Sequence, residues 1–419
     1  MCATVLAGFG CKTTVALAQT SIGRVAGQSV LERARPEYDP IGIHVGTFTL
    51  LPSLEAAAGY DSNVRALQRP VVDDAILLLR PALLARSNWS RNALTLSASG
   101  DIQRFADRPI ENAEQYRIGS DGRLDIGGRT HIVTDARIAH LIEPRGSTGD
   151  TSLGGAPVAF MNYHVGLGAD HDFGPMQTRG SVTVDTFHYG DRTVANGSVV
   201  NGSGRNYQSI LGDLQLTFPV SPAAGAFVRG TINSATYTNE GTGPSGDSKS
   251  FSGLTGFAFG ISPLLYGSVG IGYLTQTYRD RTLKGTNGLD YSAAVTWNPT
   301  PFITGSFTLN RSLQRAPSAT LGAITTTSGT LTADYEMRRN LLLGVTAVYA
   351  HNLYGLIDRT QDQVTASARA TYLFSRTLSA TLRLNHSRSR PDQTRGTDTL
   401  GVGRRFDRTQ ITLGVRVQL

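Results

Sequence analysis

Residues 408–419 read RTQITLGVRVQL. Ile411, Leu413, Val415, Val417 and Leu419 share one face, and Thr412, Gly414, Arg416 and Gln418 share the other. A period of two is the period of a strand. One face suits oil; the other, with an arginine held in step, suits water. A soluble sheet with one wet side has this pattern. So does a strand with lipid outside and water inside. The rest of the chain decides between them.

The alternation recurs from about residue 47 to the end, in about eighteen stretches of roughly 10 to 14 residues. In one, Val364, Ala366, Ala368, Ala370, Tyr372 and Phe374 oppose Gln363, Thr365, Ser367, Arg369 and Thr371. In the next, Leu378, Ala380, Leu382 and Leu384 oppose Ser379, Thr381, Arg383 and Asn385. A tilted strand needs about 9 to 11 residues to cross the hydrocarbon of a bilayer. Repeated segments of that length are the signature of a transmembrane barrel.

The connections sort into two kinds. NWSR, GG, FGPM, SPAAG, SP, NPTP, RR and SR are short. EPRGSTGDTSLGGA, GDRTVANGSVVNGSGR and NEGTGPSGDSKS are long and rich in Gly, Ser, Thr, Asn and Asp. Short periplasmic turns and long external loops are what an outer-membrane barrel has. The sorting predicts both chain ends on the periplasmic side, with the first strand running outward. Aromatics stand where strands end, at Trp89, Phe173, Phe218, Trp297 and Phe374 near short turns. Tyr60, Tyr116, Tyr189, Tyr207, Tyr278 and Tyr349 stand near long loops. Two interfacial girdles are the expectation.

Composition agrees. Charged residues are 17%, glycines number 47, and the formal net charge is +7. There is no Lys/Arg run of five, so nucleic acid is not an expected partner. The opening MCATVLAGFGCKTTVALAQT is apolar and ends on an A-x-A pattern at Ala16-Leu17-Ala18. Residues 1–18 therefore read as a signal peptide, 19–45 as a short extended periplasmic segment, and 46–419 as the barrel. Cys11 could suggest a lipoprotein, but Gly8-Phe9-Gly10 fits a lipobox badly. The two cysteines, Cys2 and Cys11, both fall in the signal, which leaves no thiol chemistry to the mature chain. No stretch has the ~18 to 20 uninterrupted apolar residues of a spanning helix.

The polar face is charged. Arg80, Arg86, Arg117, Arg123, Arg137, Arg179, Arg229, Arg369, Arg383 and Arg416 lie on it. So do Glu55, Asp101, Asp121, Asp125, Asp135, Asp185, Asp213, Asp290, Asp334 and Glu336. Facing lipid, such charges would cost about 2 to 4 kcal/mol at mid-membrane, so their common phase marks them as candidate pore-lining residues. The two signs are close to balanced. That lining suits neutral or weakly acidic polyhydroxyl solutes, or else internal Arg–Asp pairing that only shapes the barrel. Catalytic arrangements are poor: His188 with Asp185, and His386 with Ser387, are the close pairings, and both histidines follow the apolar phase. The glycines of VGIGY sit inside a strand and lead into no helix, so they are no phosphate loop. No cofactor or metal site is expected, and no enzyme.

The stretch PEYDPIGIHVGTFTLLPSLEAAAGYDSNV resembles the opening of the putative β-barrel porin 2 family, as does the later SNWSRNALTLSASGDIQRFADRP. The resemblance implies an integral outer-membrane barrel. Several members are associated with exopolysaccharide or capsule export, so it also implies a polymer exit route. One departure is Leu419, where many such barrels end in Phe.

The reading is an all-β, antiparallel up-and-down outer-membrane barrel of about eighteen strands. It acts as a passive, porin-like channel for a secreted polysaccharide. The alternatives are a general small-solute porin and a structural or surface barrel with a blocked lumen. Its expected partners are outer-membrane lipids, the barrel-assembly machinery acting on the C-terminal strand, and a periplasmic polysaccharide export protein.

Overall fold

A strand that is oily on one side cannot leave an edge open in a membrane, because no water is there to satisfy its N–H and C=O groups. The chain meets that demand by closing on itself. The computed structural model describes residues 29–152, 155–193, 198–238, 244–262, 264–317, 321–356, 359–392 and 404–419. The expected signal peptide, with Cys2 and Cys11, and the start of the segment after it lie outside the described residues.

Eighteen long strands follow one another. They are β1 (Phe48–Asp61), β2 (Asp74–Ser87), β3 (Ala93–Phe105), β4 (Ala113–Ile126), β5 (Thr130–Ile142) and β6 (Ala159–Asp172). Then come β7 (Gln177–Tyr189), β8 (Tyr207–Ser221), β9 (Ala224–Tyr237), β10 (Ser248–Ser262), β11 (Leu265–Tyr278) and β12 (Thr286–Thr300). The last are β13 (Ile303–Arg315), β14 (Ala323–Arg338), β15 (Leu341–Tyr354), β16 (Arg359–Leu373), β17 (Leu378–Pro391) and β18 (Phe406–Gln418). Each pairs antiparallel with the next, and β18 returns to pair with β1 from Ser53↔Gln418 to Asp61↔Gln410. The result is a closed meander without a free edge.

The two rims differ. Connections such as 127–129, 222–223, 301–302 and 339–340 form one; at the other, β1, β5, β7 and β17 end at Asp61, Ile142, Tyr189 and Pro391 and lead into the longer connections. Both described chain ends lie at the short-turn rim.

The apolar phase looks out. Along β18, Ile411, Leu413, Val415 and Val417 are all exposed, while Glu55 on the neighbouring strand is 3% exposed. This inverts a soluble protein, as a chain solvated by lipid requires. The glycines inside strands make room for neighbours. A Cβ on Gly256 would lie 2.6 Å from the ring of Phe227, which points inward onto it, and 2.1 Å from the carbonyl of Val269.

Two expectations change. Tyr60, Tyr116 and Tyr349 do face out at the long-loop rim, and Trp89, Phe173, Phe218, Trp297 and Phe374 at the short-turn rim. Tyr189, Tyr207 and Tyr278 belong to no girdle. Tyr207 shares the inward phase of Ser209 and Asp213, Tyr189 that of Asp185, and Tyr278 that of Gln276. Position near a strand end does not fix which face a ring takes; parity does.

The second change concerns the segment before the barrel. It is not extended throughout. Val30–Glu32 make one 3-10 turn closed by a Ser29/Glu32 capping box. Val30 is fully buried. Among its described residues only Ile43–Val45 are strand, pairing back on Phe48–Leu50.

Candidate functional site

The lumen wall is the one surface that gathers the charged residues. At the closure seam Glu55 is the centre. Arg383 grips it with Nη1 2.5 Å from Oε1 and Nη2 3.0 Å from Oε2. Arg80 donates to Oε1 at 2.9 Å, and Arg416 comes within 3.5 Å of Oε2. Arg80 also donates to Asp101 at 2.9 Å. Five strands, β17, β18, β1, β2 and β3, are tied by this cluster. Nearer the long-loop rim, fully buried Asp61 accepts from Arg408 at 3.0 Å and from Gln410 at 2.8 Å.

Most other candidates are also paired. Arg229 donates to Asp213 at 2.6 Å and Arg123 to Asp125 at 2.7 Å. Arg179 bonds Asp170 on the neighbouring strand, and Asp290 accepts from Ser252. Asp185 and Asp135 hold His164 between them, at 2.9 Å on Nδ1 and 2.5 Å on Nε2, with the charge of Arg137 acting on Asp185. His164 escaped the sequence reading, although its parity with Asn162 and the inward aspartates carries the signal. Arg117 stands inward opposite Ser99. Arg86, Asp121 and Arg369 are exposed and form no salt bridge among the described residues. The wall is therefore wet and charged but largely neutralised pair by pair.

Asp334 and Glu336 line the wall but do not face open water. The segment before the barrel covers them. Ser29 donates to Asp334 at 2.5 Å, and the Val30 N–H donates to Thr304 at 3.1 Å. Thr304 passes its own hydroxyl proton to Asn298 at 2.7 Å. Arg35, 4% exposed, donates to Glu336 at 3.0 Å and to the carbonyl of Arg33 at 3.0 Å. Arg33 reaches the Pro301 carbonyl. These partners lie on β12, β13 and β14 or the turn between the first two, at their short-turn end, so the segment is tucked against the inner wall of that mouth.

The long-loop end is built differently. Phe160 on β6, Phe187 and Tyr189 on β7, Tyr207 on β8 and Tyr237 on β9 point inward on successive strands. Ring centroids stand 5.2 Å apart for Phe160 and Tyr189, 4.6 Å for Phe187 and Tyr207, and 5.5 Å for Tyr207 and Tyr237. Offset stacking at such distances is favourable, and it makes a continuous aromatic ladder. Two arginines lie on it. Arg205, from the 190–206 loop, sits 4.0 Å from the Tyr189 centroid and is gripped by Glu143, at 3.0 Å on Oε2. Burial opposes its charge, but Glu143 outweighs burial and holds Arg205 more basic than an ordinary guanidinium. Arg315, the last residue of β13, sits 4.5 Å from the Tyr207 centroid.

The pairings considered for catalysis come apart. Asp185 points into the lumen while His188 points out, edge-on to Tyr163 at 5.9 Å. His386 also points out and bonds Thr409 at 2.9 Å, away from Ser387 on the opposite face.

The family described as Putative beta-barrel porin 2 matches residues 35–419. No curated protein matches the chain. Among solved structures, the siderophore receptor PirA from Acinetobacter baumannii is similar at 6% identity and a TM-score of 0.47, over 88% of this chain and 80% of that one. The ferric enterobactin receptor PfeA from Pseudomonas aeruginosa, in a mutant form, shares 8% identity at a TM-score of 0.49, with coverages of 88% and 80%. OpdO from Pseudomonas aeruginosa shares 10% identity at a TM-score of 0.44, with coverages of 88% and 97%. At these values none bears on what this barrel carries.

Proposed function

Because the chain belongs to the putative β-barrel porin 2 family, we propose that it is a passive outer-membrane channel through which a secreted polysaccharide leaves the cell. The observation that carries this reading is the lumen wall. Away from the aromatic ladder it is largely polar, and most of its charges are met by partners in the wall itself. A wall of one sign would select ions. A neutralised wall rich in hydroxyls and amides lets an uncharged or weakly acidic hydroxylated chain slide past. The family points to transport, not catalysis, and movement would be diffusive or pushed by a periplasmic export protein. In this reading the short-turn rim faces the periplasm, the long loops face outside, and β18 is the strand taken up by the assembly machinery.

Planar-bilayer recording of the purified barrel tests it. Stable conductance steps are expected; a silent barrel removes the channel. Deleting the protein is expected to abolish extracellular polysaccharide and spare small-solute uptake. The reverse outcome would make it a general solute porin.

A further inference from the structure

We propose that the aromatic ladder and Arg315 form a binding subsite for a sugar ring bearing a carboxylate, and that its occupant is a uronic acid unit of the exported chain. The choice of occupant rests on the channel reading above; the subsite itself does not.

Three observations carry it. First, these rings are not placed by lipid. They face the lumen on successive strands, where a polar wall would serve a simple water-filled pore. Their faces are apolar and the tyrosines end in hydroxyls; Tyr207 itself is buried beneath Arg315, and Tyr237 beside it is half-buried. A pyranose has the matching shape, with C–H groups on its face and hydroxyls on its edge.

Second, Arg315 is poorly satisfied. Its Nη2 stands 3.5 Å from Ser209 Oγ and 3.4 Å from Asn233 Oδ1, both at the edge of hydrogen bonding, and its other polar neighbour is the neutral Tyr207 hydroxyl. Its Nε is buried and has no acceptor. It forms no salt bridge among the described residues. A guanidinium in that condition costs free energy until an anion reaches it.

Third, the same ladder contains a finished version of the arrangement. Arg205 also lies over a tyrosine ring, 4.0 Å from the Tyr189 centroid, and there Glu143 closes a two-oxygen grip on the guanidinium. Arg315 over Tyr207 has the ring and the cation but not the carboxylate. A carboxylate carried in by a ligand completes it in the bidentate geometry that arginine favours. The ring attached to that carboxylate is then held next to Tyr207 and Tyr237, and Ser209 and Asn233 are within reach of its hydroxyls.

The test uses the full-length barrel with three probes: trigalacturonate, maltotriose as a neutral sugar of equal length, and benzoate as a small ring acid. Binding to detergent-solubilised protein is read by calorimetry and current block in a planar bilayer. Trigalacturonate is expected to bind and block at the lowest concentration. Arg315→Gln and Tyr207→Ala are each expected to raise its half-saturating concentration about tenfold or more, with folding checked by heat-modifiable gel migration. Equal binding of trigalacturonate by wild type and Arg315→Gln overturns the subsite, as does equal binding of maltotriose. Tighter binding of benzoate overturns the sugar assignment. A silent bilayer with Arg315-dependent calorimetric binding removes the channel and leaves the subsite standing; conduction without such binding removes the subsite alone.

Discussion

Two walls of the lumen treat their arginines in opposite ways. At the closure seam Arg80, Arg383 and Arg416 converge on Glu55, and Asp101 takes the second side of Arg80. On the aromatic wall Arg315 has a ring beneath it and two distant neutral oxygens. Satisfied charge holds a shape; unsatisfied charge waits for something. The contrast separates residues that keep the barrel closed from residues free to meet what passes through it.

The seam gives the sharpest way to break that contrast. Glu55→Ala leaves three arginines around an absent anion. Removing one partner of a buried pair costs about 3 to 5 kcal/mol. The heat-induced shift in gel migration is therefore expected at a clearly lower temperature than in wild type. An unchanged transition would show that the cluster does not hold the closure.

The short-turn mouth comes next. Glu336→Ala removes the carboxylate that Arg35 reaches. The loss should be local, because the strands behind it keep their hydrogen bonds. Faster trypsin cleavage after Arg33 is expected, together with a larger single-channel conductance, while thermal unfolding of the barrel stays put. A barrel that melts as a whole would mean that the segment is part of the wall and not a cover upon it.

The smallest effect is expected at Arg123→Ala. Its pair with Asp125 is half open to water, with Arg123 52% exposed, and exposed pairs contribute little and are screened by salt. The migration shift should occur at the wild-type temperature. A measurable drop would place this pair with the seam and blur the distinction.

The strands were legible because lipid and water impose a strict period of two, and every stretch with that period became a strand. Boundaries slipped where the membrane ends. β14 begins at Ala323, ahead of the part of it that alternates, because Ala323, Ile324 and Thr325 are buried together at the long-loop rim, where parity no longer separates oil from water. The inward set of charges was equally readable from parity; which of them are paired was not, since partners such as Glu55 and Arg383 are 328 residues apart. The turn at Val30–Glu32 has no periodicity to read; its only sequence trace is the Ser29-x-x-Glu32 cap. Of the aromatic ladder, position near a strand end picks out only Tyr189 and Tyr207 and assigns them to a girdle; parity along β7 and β8 turns them inward, and Phe160, Phe187 and Tyr237 carry no signal but that parity.

Closure also has a meaning in time. Asp61 meets Arg408 across 347 residues of chain, so the first strand is made long before its last neighbour exists. Contacts of such separation form late, after the entropy of joining distant segments has been overcome. Until then β1 carries a naked row of donors and acceptors, and Glu55 has Arg80 but neither Arg383 nor Arg416. The barrel is thus a bracelet whose clasp is charged. The arrival of β18 is the event that both removes the last sticky edge and brings Arg408 to the fully buried Asp61, so a chain that stalls one strand short differs from a finished one in hydrogen bonding and in charge at once.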